Sequence, residues 1–374
     1  MTFQHIEKAV GCLRWLPAYV AQRLRRRLPS GHLHLMIAVA DHFEPSFLST
    51  GFATIDEQER RLERWCVEYP KVADPWRDAE GRPFRHTYFY PAEQYDRRLI
   101  ERLAHHCHEG WGEIEIHLHH GLEQPDSGEN TRAVLAGFRE ALVAHGCLSR
   151  WNGAGPARYA FVHGNWALAN SGGGRFCGVD EEMQILADTG CYADFTLPSA
   201  PNRAQISKIN ALYECALPLG TRAPHRRGRD LRRGRAPETF PLVVQGPLGI
   251  RSDRFPRPRI ENGELTASNP PNMERFRVWS EIPITVHGRP DWLFIKLHCH
   301  GMDARDERAM FGDLIETFLR DLTQMARDNQ ACSVHFVTAR EMVNIMLAAC
   351  DGHDSNPGGF REYRLQLAKP PGRV

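Results

Sequence analysis

The sequence predicts an α/β protein: an irregular barrel of mostly parallel strands, seven or eight of them, with helices between. Three observations carry this. Strand-length apolar runs alternate with segments of helical spacing from about residue 31 to about residue 350. Many runs stop at Pro or Gly, as strands and helices do on reaching a loop. Four of the runs close on imidazole or carboxylate groups, which suits a parallel sheet whose carboxyl ends share one face.

Taken in order, "HLHLMIAVADHFEP" (32–45) is an apolar strand closed by Asp41 and His42. "FRHTYFYP" (84–91) is aromatic and β-branched and ends on Pro. In 92–107, Tyr95, Leu99 and Leu103 stand four apart, the mark of a helix, and Gly110 follows as a stop. Residues 113–120 alternate as a strand, and 130–146 form a second helix ending on Gly146. "RYAFVHGNWAL" (158–168) is a strand, 179–191 a helix, and 240–250 and 291–302 further strands. An amphipathic helix covers 311–329. A strand then runs into a helix over 332–349, where Thr338 and Glu341 have capping-box spacing.

No clean linker divides the chain. The organisation expected is an N-terminal amphipathic, basic helix (1–30), a barrel (31–350) with an insertion at about 220–285, and a C-terminal tail (351–374). The insertion holds seven arginines between Arg222 and Arg235, either a solvated loop or a lip for an anionic polymer or phosphate.

Composition is that of a globular protein, 42% hydrophobic and 25% charged, and a net charge of +1 gives no field that would draw nucleic acid. Ten scattered cysteines without a C-x-x-C pair read as reduced thiols, and the cytoplasm as the expected address. Arg14 and Pro17 interrupt the apolar stretch 9–21, so no run reaches the ~18 apolar residues of a membrane span. A helix packed on the domain is the preferred reading of this stretch. Its basic end leaves peripheral membrane contact open.

The nineteen histidines are the outlier. His117 and His119 share one face of their strand, as do His298 and His300. Two or three imidazoles with a carboxylate make the ligand set of a catalytic zinc or similar divalent ion. For His32, His34, His86 and His335 a structural role is preferred. For His105, His106 and His108 a helix-end role is preferred.

At these residues the chain resembles the polysaccharide deacetylase (NodB-homology) superfamily of glycoside hydrolase/deacetylase barrels, in particular its divergent branch among bacterial surface-polysaccharide proteins. The likeness spans roughly 32–350. "IAVADHFEP" is similar to the first motif, "EIEIHLHHGL" to the second and "FIKLHCHG" to the last, while "YAFVHGNWA" falls where a substrate-lining strand is expected. The resemblance implies a zinc-type ion on His42, His117 and His119, with Asp41 as general base and His298 as general acid. It implies a sugar lined by His120, His163, Asn165, Trp166 and His300, from which an acetyl group is hydrolysed. The family's metal pair stands four residues apart. Here that second position is Gly121, so the site is either rebuilt on His117 and His119 or lost. Two other readings suit the same histidines: a binuclear amidohydrolase or phosphoesterase, and a degenerate barrel that only binds glycan.

Overall fold

The computed structural model describes residues 3–25, 31–48, 51–251, 259–329 and 331–368. Eleven strands matter to the site: β1 (Leu33–His42), β2 (His86–Pro91), β3 (Gly112–Leu118), β4 (Ala154–His163), β5 (Cys191–Asp194), β6 (Leu212–Cys215), β7 (Gly228–Asp230), β8 (Leu242–Val244), β9 (Glu264–Leu265), β10 (Trp292–Cys299) and β11 (Cys332–Phe336). The curled sheet runs β7-β6-β8-β5-β4-β3-β2-β1-β10-β9. Every neighbouring pair from β8 to β9 along this path is parallel, and only β6 runs the other way, antiparallel to both β8 and β7 near one edge. β11 pairs with the first half of β1, on the side where β2 takes the second half.

The sheet is a half-barrel, not the closed barrel of seven or eight strands expected from sequence. Two physical features account for this. The path ends on the three-residue β7 and the two-residue β9, short edges that do not pair with each other. The concave side is also already filled. Helix Ala339–Cys350 is buried along its whole length, as a helix apolar on most sides must be. Its Met342, Val343 and Met346 pack with Met36 and Ala38 of β1 and with Phe294 of β10.

The convex side carries the other core. Odd-numbered Leu35, Ile37 and Val39 of β1 pack there with helices α2 (Ile55–Ala73), α3 (Arg97–His106), α4 (Gly128–Ala144), α5 (Glu182–Thr189), α6 (Met273–Ser280) and α7 (Asp313–Asp328). Helices α2 and α6 are not among the elements the sequence predicts. The buried helix is α8, and its capping box at Thr338 and Glu341 forms as its spacing predicts. Buried ion pairs anchor it: Arg340 to Glu113 at 2.7 and 3.0 Å, and Arg85 to Glu341 at 2.7 Å.

Helix α1 (Phe3–Arg25) packs Trp15 against Ala200, Ile209 and Leu248. Among the described residues no helix is long and apolar enough to cross a membrane. Residues 26–30 of the expected N-terminal segment lie outside the described residues. The segment 220–285, expected as an insertion, supplies β7, β8 and β9 of the sheet itself. Five of the seven arginines between Arg222 and Arg235 bond to the protein's own groups. Arg222 and Arg226 hold the carbonyls of Asn170 and Ser171, Arg229 and Arg235 reach Glu214, and Arg233 reaches Asp354. The expected tail wraps back, with Leu365–Leu367 pairing antiparallel to Ser149–Trp151 and Arg361 bonding to Asp78. Residues 369–374 lie outside the described residues.

Candidate functional site

Strand parity decides which side chains meet at the carboxyl-end mouth of the half-barrel. Even positions of β1 and β10 and odd positions of β3 face the concave side, so His42, His117 and His298 converge. The His42 ring lies 4.9 Å from His117, 4.8 Å from His300 and 6.2 Å from His298, centre to centre. His119 joins them, 4.4 Å from His117.

Asp41, one residue from His42, takes the opposite face. One carboxylate oxygen accepts from the backbone N–H of Gly301 at 2.7 Å, and the other pairs with His86 Nδ1 at 3.0 Å. It is fully buried among the convex-side residues around Trp65, so the general-base position expected for it is not at the mouth.

The carboxylate that does reach the imidazoles is Glu44. Its Oε1 lies 3.1 Å from Nε2 of both His117 and His119. The other ring nitrogens are held in place from behind. His117 Nδ1 donates to the Val162 carbonyl at 2.8 Å, and His119 Nδ1 bonds to Glu93 at 2.7 Å. A carbonyl only accepts, so His117 carries its proton on Nδ1 and turns a lone pair on Nε2 toward a carboxylate. Two acceptors facing each other call for a proton or a cation between them. Burial, the largest influence on His117, lowers its pKa and disfavours the proton. Burial acts the same way on His119, but Glu44 and Glu93 together reverse it and lift that ring to about 10. Burial would raise Glu44, whereas its two imidazole partners hold it well below the usual carboxylate range.

Two imidazoles and one carboxylate, with their outer nitrogens pinned, suit a divalent ion such as zinc. The three donor atoms lie within 4.8 Å of one another. His42, expected as a ligand, contributes no atom to this group and instead packs its ring against His117 and His300. At Gly121, where the resemblance would place a second histidine, the backbone sits against that of Cys177 and leaves no room for a Cβ.

Beside the mouth lies a cavity of about 530 Å³, lined by Asn165, Trp166, Phe176, Ser199, Glu264 and His298. Four polar atoms around it are buried without a partner: Asn165 Oδ1, Trp166 Nε1, Ser199 Oγ and His298 Nδ1. Such atoms are costly until a ligand, an ordered water or an ion satisfies them. Asn165 and Trp166 also hold φ of 57° and 58°, a strained region for non-glycine residues. Gly164, next to them, packs so closely on the His119 ring that a Cβ would not fit, which links cavity and imidazoles. A second cavity of about 630 Å³ lies beyond Glu93, walled by Leu122, Val134 and Phe138, but no unpartnered buried polar atom lines it.

The remaining expected substrate residues divide. His300 stands at the mouth, whereas His120 and His163 turn toward the helices, where their Nε2 atoms stand 3.1 Å apart and Glu182 Oε1 lies 3.0 Å from His120 Nε2. Glu44 was legible in principle, since it lies two residues past His42 in the same quoted stretch. Glu93 and Glu182 carry no comparable signal, because each looks like an acidic residue in the first turn of a surface helix.

Comparison of the chain with protein-family models and with curated proteins found no match.

Proposed function

We propose that the protein is a metal-dependent hydrolase that removes an acetyl group from an N-acetylated sugar or surface-polysaccharide precursor. The observation that carries this reading is the group of Glu44, His117 and His119, turned toward one point beside a cavity with unpartnered polar atoms. A divalent ion held by these three side chains would supply Lewis-acid polarisation of the acyl carbonyl and acidify a water.

The chain's own residues supply the rest. Trp166 offers a flat apolar face for a sugar ring, and Asn165 and Ser199 offer polar atoms for its hydroxyls. His298 is kept neutral by burial first and by Lys296 and other cationic neighbours second. The neutral ring has a lone pair to take a proton as water attacks. The same burial makes the protonated ring a strong acid, which returns the proton to the nitrogen as the C–N bond breaks. The products are acetate and a free amine. His298 thus acts as base first and acid second, taking over the role expected for Asp41.

The test is acetate release from a panel of N-acetylated saccharides by protein loaded with zinc, cobalt or manganese. The expected result is release that depends on metal and disappears in Glu44→Gln. Full metal occupancy at the Glu44 site with no acetate from any member of the panel would overturn the reading.

A further inference from the structure

A second group of histidines, on the other face of the same strand ends, meets a stricter test of metal binding. His120 follows β3, His163 ends β4, Cys177 lies in the loop after it, and Glu182 opens α5. All four are buried, and their donor atoms lie within 4.8 Å of one another. We propose that His120, His163, Cys177 and Glu182 form a closed, structural metal site of the zinc type, distinct from the Glu44 site and not part of the catalytic proposal.

The argument begins with the outer ring nitrogens. His120 Nδ1 bonds to Asp126 Oδ2 at 2.9 Å, and Thr131 Oγ1 fixes that carboxylate at 2.8 Å. His163 Nδ1 faces the carbonyl of Gly164. Both acceptors demand a hydrogen on Nδ1, which leaves a lone pair on each Nε2 of the neutral rings. Those two Nε2 atoms stand 3.1 Å apart. Glu182 Oε1 adds a third acceptor, 3.0 Å from one nitrogen and 3.6 Å from the other. A single extra proton could bridge one of these contacts. A cation satisfies all of them at once.

Cys177 completes the set. Its Sγ accepts from the backbone N–H of Val179 at 3.5 Å and lies 3.5 Å from Glu182 Oε2. Without a cation, burial and Glu182 hold Cys177 as a thiol whose S–H points at Glu182 Oε2 and at the Val179 carbonyl. A divalent ion on the four donors would take that proton's place and bind the thiolate. Gly178 makes that turn with φ of +89°, and its packing on Pro125 leaves no space for a side chain. Four protein donors, three of them with no exposure at all, leave no open position for water or substrate. That closure is the mark of a structural site.

Its place in the fold gives it a task. Glu182 Oε2 also accepts from Ala169 N–H, and Phe176 N–H donates to the Gly121 carbonyl at 2.7 Å. An ion on these four donors would clamp the 164–182 loop, which brings Asn165, Trp166 and Phe176 to the cavity wall.

The decisive experiment uses the full chain loaded with cobalt or zinc. A thiolate-to-cobalt charge-transfer band in the near ultraviolet is expected in the wild type and in Glu44→Gln, and is expected to vanish in Cys177→Ser with the loss of one ion per chain. X-ray absorption of the wild-type zinc protein should show a sulfur neighbour at about 2.3 Å, a readout that stands even if the variant does not fold. Only nitrogen and oxygen around the zinc, or a band that survives Cys177→Ser, would overturn the proposal. Failure of the catalytic reading looks different: the Glu44 site would fill with metal and no member of the saccharide panel would release acetate, while the sulfur-ligated ion stayed in place.

Discussion

Two imidazole clusters sit back to back at the ends of β3 and β4, and their differences are instructive. On the concave face Glu44, His117 and His119 offer three donors beside a cavity, and the His119 side chain keeps 20% of its exposure. On the convex face four donors are sealed, with Glu182 and His163 wholly buried. Sequence neighbours therefore meet opposite environments: His119 faces the mouth and His120 the helices. An open set of three leaves room for a reacting group, and a closed set of four does not.

The largest effect expected is at the open cluster. Glu44→Gln should abolish acetate release and remove the concave-side ion while the sulfur-ligated ion remains, which metal analysis would read. His298→Ala should lower kcat/KM by about 10²–10⁴-fold with metal content unchanged. Equal loss of metal in that variant would make His298 a ligand and not a proton carrier.

Chelation separates the clusters in time. A chelator should strip activity quickly and the cobalt–thiolate band slowly, because the convex site must open before its ion can leave. Simultaneous loss would mean that the two sites are not independently accessible.

Acid should act elsewhere. Arg85 and Arg361 hold the Glu341 carboxyl near pH 2 against the opposing effect of burial, and His335, Asn356 and Arg361 do the same for Glu80. A depressed carboxyl contributes stability above its ordinary pKa and loses it as pH falls toward the folded value. Thermal denaturation should therefore show stability declining from about pH 4.5 to about pH 2 in metal-free protein as well. The smallest effect on catalysis is expected at Asp41. Asp41→Asn should cost about 1–3 kcal/mol of stability through its buried partners and leave most acetate release intact.

Much of this was legible in the chain. Period-two spacing put His117 with His119 and His298 with His300, and the α/β alternation placed most strands and helices. The general base expected at Asp41 is turned away from the mouth because Asp41 and His42, adjacent on one strand, cannot share a face. Glu44 regains the concave side two residues after His42. The closed barrel failed for a different reason: apolar α8 reads as an ordinary helix in the chain, yet it occupies the space that further strands would enclose. Cys177 and Glu182 gave no warning, since a lone Cys and a first-turn Glu are common and only folding brings them to His120 and His163.

Local periodicity is a property of the covalent chain, so strand and helix type, and the gathering of imidazoles at strand ends, were written in residue order. Which rings share a proton, which carboxylate they face and whether a water can reach them depend on atoms far apart in the chain. Sheet curvature, the seating of α8 and the path of the 164–182 loop set those distances, and hydrogen bonding and burial act only over such distances.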